Sequence, residues 1–185
     1  MTAAERLRTT YEEYLALERA TQTRHEYVDG CAYAMAGGEP EHARLALAMG
    51  AELRQRLRGG ACRVYSSDLK VVVTASGNAY YPDGTVVCGP LERDPKDPVA
   101  VTNPTMLIEV LSPGTERFDR GDKFADYRLL PSLRHYLMVS SQRRLIEHYR
   151  RNDDDTWTLT LCTAGGALNL PELGGAIPVD DVYAG

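Results

Sequence analysis

PTMLIEVLSPGTERFDRGDKFADYR, from Pro104 to Arg128, indicates the architecture of this chain more clearly than any other segment. Its first part, Thr105 to Leu111, predicts a buried strand, because every residue after Thr105 is apolar except Glu109. An unpaired carboxylate is costly to bury, since the charged group loses its hydration without compensation. We therefore expect Glu109 to have a cationic partner, a metal ion or a protonated state that serves chemistry.

The rest of the segment predicts a break followed by a helix. Residues 112–115, SPGT, end the strand, and the third helix of the chain is expected from about Glu116 to Leu130. Its predicted core stripe consists of Phe118, Ala125 and Leu129. Asp119, Lys123 and Tyr127 recur at intervals of four on the adjacent flank, so we expect Lys123 to border the buried face. A surface lysine paired with Asp119 is the alternative.

Upstream, the sequence predicts a helix, a hairpin and a second helix. Thr10 and Glu13 have the spacing of a capping box at the start of YEEYLALERA. The pair Asp29-Gly30 then predicts a turn between two short strands in RHEYVDGCAYAMAG. A helix from Glu41 to Leu57 is expected to pack through one stripe at helical spacing. That stripe consists of His42, Leu45, Ala46, Met49, Leu53 and Leu57.

The remaining apolar runs predict strands. They are Leu69 to Val73, AYYPDGTVVCG, HYLMVS and RLIEHYRR, with TWTLTLC and ALNLPELG as a trailing hairpin and cover. The order of a helix, several strands, a helix and further strands is typical of a mixed sheet flanked by helices. We therefore predict an α/β fold with an N-terminal helix and hairpin, formed by one domain over residues 1–185.

Composition narrows the class of protein. With 43% hydrophobic and 25% charged residues, the chain has the composition of an ordinary globular protein. No apolar run approaches the roughly 18 residues of a membrane span, and the N-terminus lacks the apolar core of a signal peptide, so we expect a cytoplasmic protein without a membrane partner. The four cysteines form no CxxC pair, which argues against a zinc site, and we expect them to be reduced.

Charge is unevenly distributed. The net charge of −5 does not by itself favour a nucleic-acid partner, since such domains usually carry a basic excess. Residues 116–151 nevertheless contain nine basic and five acidic residues, which is an excess of four positive charges. This segment is either a mixed solvated surface or a patch that faces phosphate groups.

Two acidic residues are expected to meet at one position of the sheet. Asp83 begins DGTVVC, and Glu109 lies in the next predicted long strand. Consecutive strands commonly pair, and an antiparallel return would bring the two carboxylates together, where their oxygen atoms suit Mg²⁺. The alternatives are a surface Pro-Asp-Gly turn for Asp83, and a buried salt bridge or a half-exposed edge strand for Glu109.

This arrangement resembles the PD-(D/E)XK nuclease superfamily, which has a Pro-Asp on one strand, an acidic residue on the next and a helix after it. The longer strings VYSSDLKV, YYPDGTVV, PTMLIEVLSPGT, DRGDKFADYRLLPSLRHYLMV and IEHYRR resemble the Uma-type family of putative restriction endonucleases, also described as a domain of unknown function. The likeness extends from about Tyr11 to Tyr183 and includes HEYVDG, MAGGEPEH and IPVDDVY.

The resemblance implies a restriction-endonuclease-like core in which Asp83 and Glu109 are the metal-binding acids. The superfamily's usual lysine lies two residues after the second acid, where this chain has Leu111. In the Uma-type pattern a lysine on the following helix takes its place, and Lys123 matches it. Glu26 also falls in a family-like motif and is expected to supply a further metal-binding carboxylate.

The expected activity is Mg²⁺- or Mn²⁺-dependent hydrolysis of DNA phosphodiester bonds by Asp83, Glu109 and Lys123. Tyr127 and His42 are candidates for support, although His42 is also explained as a core histidine bonded to a backbone carbonyl. Arg117 and Arg120 are candidates for phosphate binding. Double-strand cleavage with one site per chain calls for a homodimer.

Two other functions remain open from the sequence. One is a non-catalytic module of the nuclease fold that binds nucleic acid or protein. The other is a metal-dependent hydrolase that acts on a smaller phosphate ester.

Overall fold

Two main β-sheets, a separate two-stranded sheet and five helices form the part of the chain described by the computed structural model, residues 6–35 and 37–184. The strands are β1 (Arg6–Arg8), β2 (His25–Val28), β3 (Cys31–Ala34), β4 (Cys62–Ser66), β5 (Val71–Val73), β6 (Asn78–Tyr80), β7 (Gly84–Cys88), β8 (Met106–Leu111), β9 (His135–Ser140), β10 (Leu145–Arg151), β11 (Trp157–Thr163), β12 (Ala167–Leu170) and β13 (Gly175–Pro178). The helices are α1 (Tyr11–Ala20), α2 (Pro40–Arg56), α3 (Glu116–Phe118), α4 (Phe124–Tyr127) and α5 (Val179–Tyr183), with a π-helical turn (Asp119–Lys123) between α3 and α4 and a 3₁₀ turn (Pro171–Leu173) after β12.

The larger sheet has six strands in the order β11-β10-β9-β8-β7-β4 and carries Glu109 on β8. Strands β8 and β9 are parallel, and the other neighbours are antiparallel, so the sheet is mixed as predicted. Strands β7 and β8 pair with Gly84 opposite Ile108. A Cβ atom at Gly84 would lie only 2.9 Å from Ile108 Cδ1, so glycine permits this close pairing directly after Asp83.

Helices flank both faces of the six-stranded sheet. On one face α2 buries Leu45, Met49 and Leu53 against β7, β8 and β9. On the other face the segment from α3 to α4 packs through Phe124 and Tyr127. The predicted α/β arrangement of a mixed sheet between helices is therefore confirmed.

The smaller sheet contains the N-terminal hairpin and has the order β1-β3-β2-β6-β5. Asp29 and Gly30 form the predicted turn between β2 and β3, with φ values of 50° and 73° that suit a type I′ geometry. The predicted capping box is also present, since Glu13 N–H donates to Thr10 Oγ1 and Thr10 N–H donates to Glu13 Oε2.

The third predicted helix differs in its buried face. Ala125 is exposed and Leu129 is 51% exposed, so the predicted core stripe is wrong for both. Phe118, the third predicted member, is partly buried and packs against the core. The π-helical turn holds one more residue than an α-turn and shifts the register of everything after it. As a result the flank that carries Lys123 and Tyr127 turns toward the sheet.

Several strand predictions need correction. AYYPDGTVVCG is not one strand: β6 belongs to the smaller sheet and β7 to the larger one, with residues 81–83 passing between them. The predicted hairpin of TWTLTLC with ALNLPELG is also wrong, because β11 pairs with β10 while β12 pairs with β13. Within the described residues, no helix is long and apolar enough to cross a membrane.

The expectation that all cysteines are reduced is wrong for two of them. Cys62 and Cys88 lie opposite each other in the β4–β7 register and form a disulfide, with their Cα atoms 3.9 Å apart. Antiparallel pairing brings together residues 26 positions apart, which spacing along the chain did not reveal. Cys162 is a free cysteine, and both it and Cys31 are buried.

Candidate active site

An open cleft of about 1810 Å³ lies between α2, β4, the β2–β3 hairpin and residues 112–115. Five of the side chains proposed from the sequence line it, namely Glu26, His42, Asp83, Glu109 and Lys123. Tyr127 is fully buried behind Glu109. The fold thus gathers residues that are almost a hundred positions apart into one cleft.

Asp83 is anchored at the floor of the cleft. Its Oδ2 atom accepts a hydrogen bond of 2.7 Å from the backbone N–H of Val110, because the β7–β8 pairing places Asp83 beside the residue after Glu109. The hydrogen bond confirms that the two acid-bearing strands are neighbours. The Pro-Asp-Gly segment therefore leads into an internal strand of the sheet and is not a surface turn.

His42 lies on the opposite side of Asp83, in the first turn of α2. Its Nε2 atom is 3.1 Å from Asp83 Oδ2. The hydrogen bond to Asp83 raises the pKa of His42 above its ordinary value, and burial opposes this only in part. A Cβ atom at Gly38 would lie 2.8 Å from His42 Nδ1, so the glycine leaves room for the ring.

Lys123 lies among three carboxylates. Its Nζ atom is 3.0 Å from Glu109 Oε1, 3.0 Å from Glu26 Oε1 and 3.7 Å from Asp119 Oδ1. Burial alone would lower the pKa of Lys123, but Glu109, Glu26 and Asp119 outweigh it and raise the pKa well above its ordinary value. The ammonium group is therefore charged, and the surface-lysine alternative is excluded by a side chain only 7% exposed.

Glu109 has the cationic partner that its position in a buried strand required. Besides Lys123, its Oε1 atom accepts a hydrogen bond of 2.9 Å from the Tyr127 hydroxyl. Burial raises the pKa of Glu109 well above its ordinary value, Lys123 lowers it, and the neighbouring acids Asp119, Asp83 and Glu26 raise it further.

Asp119 is a site residue that the sequence analysis did not propose. It lines the cleft, is 3% exposed, and its pKa is raised mainly by burial. Its spacing of four residues from Lys123 was the signal that could have found it. With Asp119, four carboxyl groups face one lysine and His42, so the acidic side chains of the cluster outnumber the basic ones.

The donor chemistry of this cluster fits a hard divalent cation. The hydrogen bonds on Asp83 and Glu109 each engage one carboxylate oxygen, which leaves the other oxygen of each for a ligand. Among the described residues, no three His, Cys, Asp or Glu side chains are grouped closely enough to hold a metal by themselves. The free oxygens of Asp83 and Glu109 match the needs of Mg²⁺, which typically uses one or two carboxylates and keeps several waters.

Arg117 and Arg120 lie outside the cleft lining. Arg120 instead pairs with Glu116 at 2.9 Å and with the buried Glu147. The arginines that do line the cleft are Arg24, Arg54 and Arg58. Two of these, Arg54 and Arg58, are exposed and lie at the C-terminal end of α2 and just after it.

Comparison with known proteins finds a family and relatives that match most of the chain. The Uma2 family model, described as "Putative restriction endonuclease", matches residues 11–177. An uncharacterized protein of Synechocystis sp., slr1290, is 40% identical over 174 residues, which cover 94% of this chain and 90% of that protein. A second uncharacterized protein of Synechocystis sp., sll1609, is 30% identical over 151 residues, 82% of this chain and 85% of that protein.

A solved structure shares the fold. It is the crystal structure of a putative nuclease belonging to DUF820 from Anabaena variabilis, with a TM-score of 0.72 and 12% sequence identity, covering 89% of this chain and 92% of that chain. The likeness confirms the predicted nuclease-like architecture. With the match over residues 11–177 and the 40% identical relative, it follows that the chain belongs to the Uma2 family, described as "Putative restriction endonuclease".

Proposed function

We propose that this protein is a metal-dependent endonuclease that hydrolyses phosphodiester bonds in DNA. The observation that carries the proposal is the position of Lys123, whose ammonium group meets Glu109 at 3.0 Å inside the cleft although it lies fourteen residues further along the chain. Leu111, at the superfamily's usual lysine position, is 3% exposed and belongs to the core. The helix therefore supplies the charge that the strand does not.

Asp83 and Glu109 would hold Mg²⁺ or Mn²⁺ through their oxygen atoms. When bound, such an ion lowers the pKa of a coordinated water and neutralises charge on the phosphate. Val110 N–H and His42 keep Asp83 in place, and the Tyr127 hydroxyl keeps Glu109 in place. These contacts restrict both carboxylates before substrate arrives, which is the condition for an oriented site.

Lys123 would stabilise the negative charge that develops on the phosphate in the transition state, or orient the attacking water. Its charge is maintained by the surrounding acids. Because it already lies inside the protein, little reorganisation is needed when the reaction begins.

The dimensions of the cleft favour a polymeric substrate over a small phosphate ester. Pockets for small molecules typically enclose about 300–1,000 Å³, whereas this open cleft measures about 1810 Å³. Arg54 and Arg58 line its outer wall, about one helical turn apart, where they can contact successive phosphates without reading sequence.

A second candidate function is a non-catalytic module that binds nucleic acid or protein. The observation that favours it is that Lys123 pairs with both Glu109 and Glu26 and so offsets part of the acidic cluster. In such a module the lysine would serve stability alone.

Plasmid nicking in the presence of Mg²⁺, Mn²⁺ or EDTA tests the proposal. We expect metal-dependent nicking by the wild-type protein, and its loss in Glu109→Gln and Lys123→Met. Lys96→Met is the matched control, because Lys96 is exposed and lies outside the cleft lining. Circular dichroism establishes that each variant is folded.

Full activity in either folded site variant would overturn the assignment of that residue. A wild-type protein that binds DNA without cleaving it under any metal condition would favour the non-catalytic module. Turnover of a small phosphodiester with an intact plasmid would instead identify a small-ester hydrolase.

A further inference from the structure

Strand β11 is an open edge of the six-stranded sheet. It is the terminal strand, and in the described ranges 6–35 and 37–184 no strand pairs with its outer side. Its sequence, WTLTLCT, has seven residues without charge, proline or glycine. Thr158 to Leu161 are all exposed, with Leu159 at 44% and Leu161 at 59%. Such an edge is a template for pairing with another chain.

The other edge strands of the two main sheets are short, carry a charged residue or are covered by another segment. Strand β1 has three residues and includes Arg8, and β4 carries Arg63. Strand β5 also has three residues, and its backbone is covered by Val101, which accepts from Val72 N–H at 2.9 Å. Strand β11 is thus the longest of these edges, and among the described residues it has neither a charged residue nor a covering segment. This contrast indicates that β11 is covered in the working protein.

We infer that the outer edge of β11 pairs with β11 of a second copy of this chain, giving a two-fold symmetric dimer with one continuous sheet. Antiparallel pairing centred on Thr160 uses all seven residues. It places Leu159 of each copy opposite Leu161 of the other. Both leucines lie on the same face of the sheet, because alternate residues of a strand point to the same side. The four leucines would then form one apolar patch.

The charges at the two ends of the strand agree with this pairing. Asp153 lies in the turn before β11, and Arg143 lies in the turn before β10, at the opposite end, because Leu145 pairs with Thr163. Both side chains are exposed and have no hydrogen bond or ion pair to another described residue. A two-fold axis at Thr160 brings the acidic end of each copy beside the basic end of the other.

Cysteine cross-linking tests the register. Thr160 would face its own symmetry mate, whereas Thr163 would face Trp157. We expect Thr160→Cys to give a covalent dimer under mild oxidation and Thr163→Cys to remain uncross-linked. Both residues are exposed, so accessibility alone does not produce the difference.

Sedimentation at roughly 50 µM, far above micromolar dissociation constants, tests the assembly itself. We expect a wild-type dimer and a monomeric Leu159→Lys/Leu161→Lys variant with an unchanged melting temperature. Leu129→Lys is the matched control, since Leu129 is 51% exposed elsewhere on the surface. Reversing the charge of Arg143 or of Asp153 should raise the dissociation constant of the dimer roughly tenfold, because the two-fold axis forms the Arg143–Asp153 pair twice. Reversing both charges should restore it.

A monomeric wild-type protein would overturn the inference, and so would a dimer that survives both leucine substitutions. Uncross-linked Thr160→Cys would overturn the register. None of these measurements depends on nuclease activity, so the inference stands or falls separately from the proposed function.

Discussion

Replacing Lys123 with methionine should destabilise the fold by about 3–5 kcal/mol at pH 8, the typical cost of breaking a buried ion pair. Lys123 lies within 3.0 Å of both Glu109 and Glu26 and within 3.7 Å of Asp119. Methionine retains most of the aliphatic stem, so the loss of packing is small. The expected effect therefore comes from leaving buried carboxylates without their cation.

The destabilisation should depend on pH with a defined sign. In the variant, the pKa of Glu109 rises further above its ordinary value of 4.5, because the lowering effect of Lys123 is absent. A carboxyl group whose pKa is higher in the folded state contributes stability below its unfolded pKa and loses it as pH rises through the folded pKa. The difference between variant and wild type should consequently be smaller at pH 5 than at pH 8.

Urea denaturation at both pH values measures this difference. Lys96→Met serves as the control, since Lys96 is exposed and has no ion pair to a described residue. A loss below about 1 kcal/mol at pH 8, the range of exposed pairs, would show that Lys123 does not compensate the buried acids. An equal loss at pH 5 would refute the linkage to Glu109.

Three further outcomes are expected. His135 and His148 form a buried hydrogen-bonded pair at 2.9 Å, and burial lowers the pKa of each to about 4. As pH falls, histidines of the unfolded chain are protonated before His135 and His148 of the folded protein. The free energy of unfolding should therefore decrease between pH 6.5 and pH 4, by up to roughly 3 kcal/mol per histidine. A variant with leucine at both positions should show a urea midpoint that depends less on pH. In thermal unfolding, Gly84→Ala should lower the stability of the protein by roughly 1–3 kcal/mol, because the new methyl group would collide with Ile108. Gly50→Ala should instead raise it by roughly 0.5–1 kcal/mol, because the space around this helical Cβ position is open. Reducing the β4–β7 disulfide, which closes a 26-residue separation, should cost about 3.5 kcal/mol, measured as a shift in the urea midpoint on adding dithiothreitol.

The pairing of the two acid-bearing strands was predictable because it depends on local order along the chain. Glu109 interrupts an apolar run, Asp83 precedes the nearest long strand before it, and consecutive strands commonly pair. The position of Lys123 near the buried face was also predictable from its spacing to Asp119 and Tyr127. These inferences use the two periodicities that sequence patterns express directly.

Other features depended on information that one-dimensional patterns do not contain. The π-helical turn has no signature in DRGDK, so the core face through Leu129 was misassigned. The division of AYYPDGTVVCG between two sheets depends on tertiary packing of residues 81–83. The pairing of Cys62 with Cys88 depended on strand register.

The π-helical turn makes the site tolerant of one change in chain length. Asp119 and Lys123 are its first and last residues, and both line the cleft. A π-turn contains one residue more than an α-turn, so deleting Gly121, around whose Cβ position the structure has open space, would return the segment to α-helical geometry. The acid and the lysine would then be three positions apart, a spacing that still places both on one face of a helix. A single-residue gap between these positions in a relative is therefore compatible with an intact cluster.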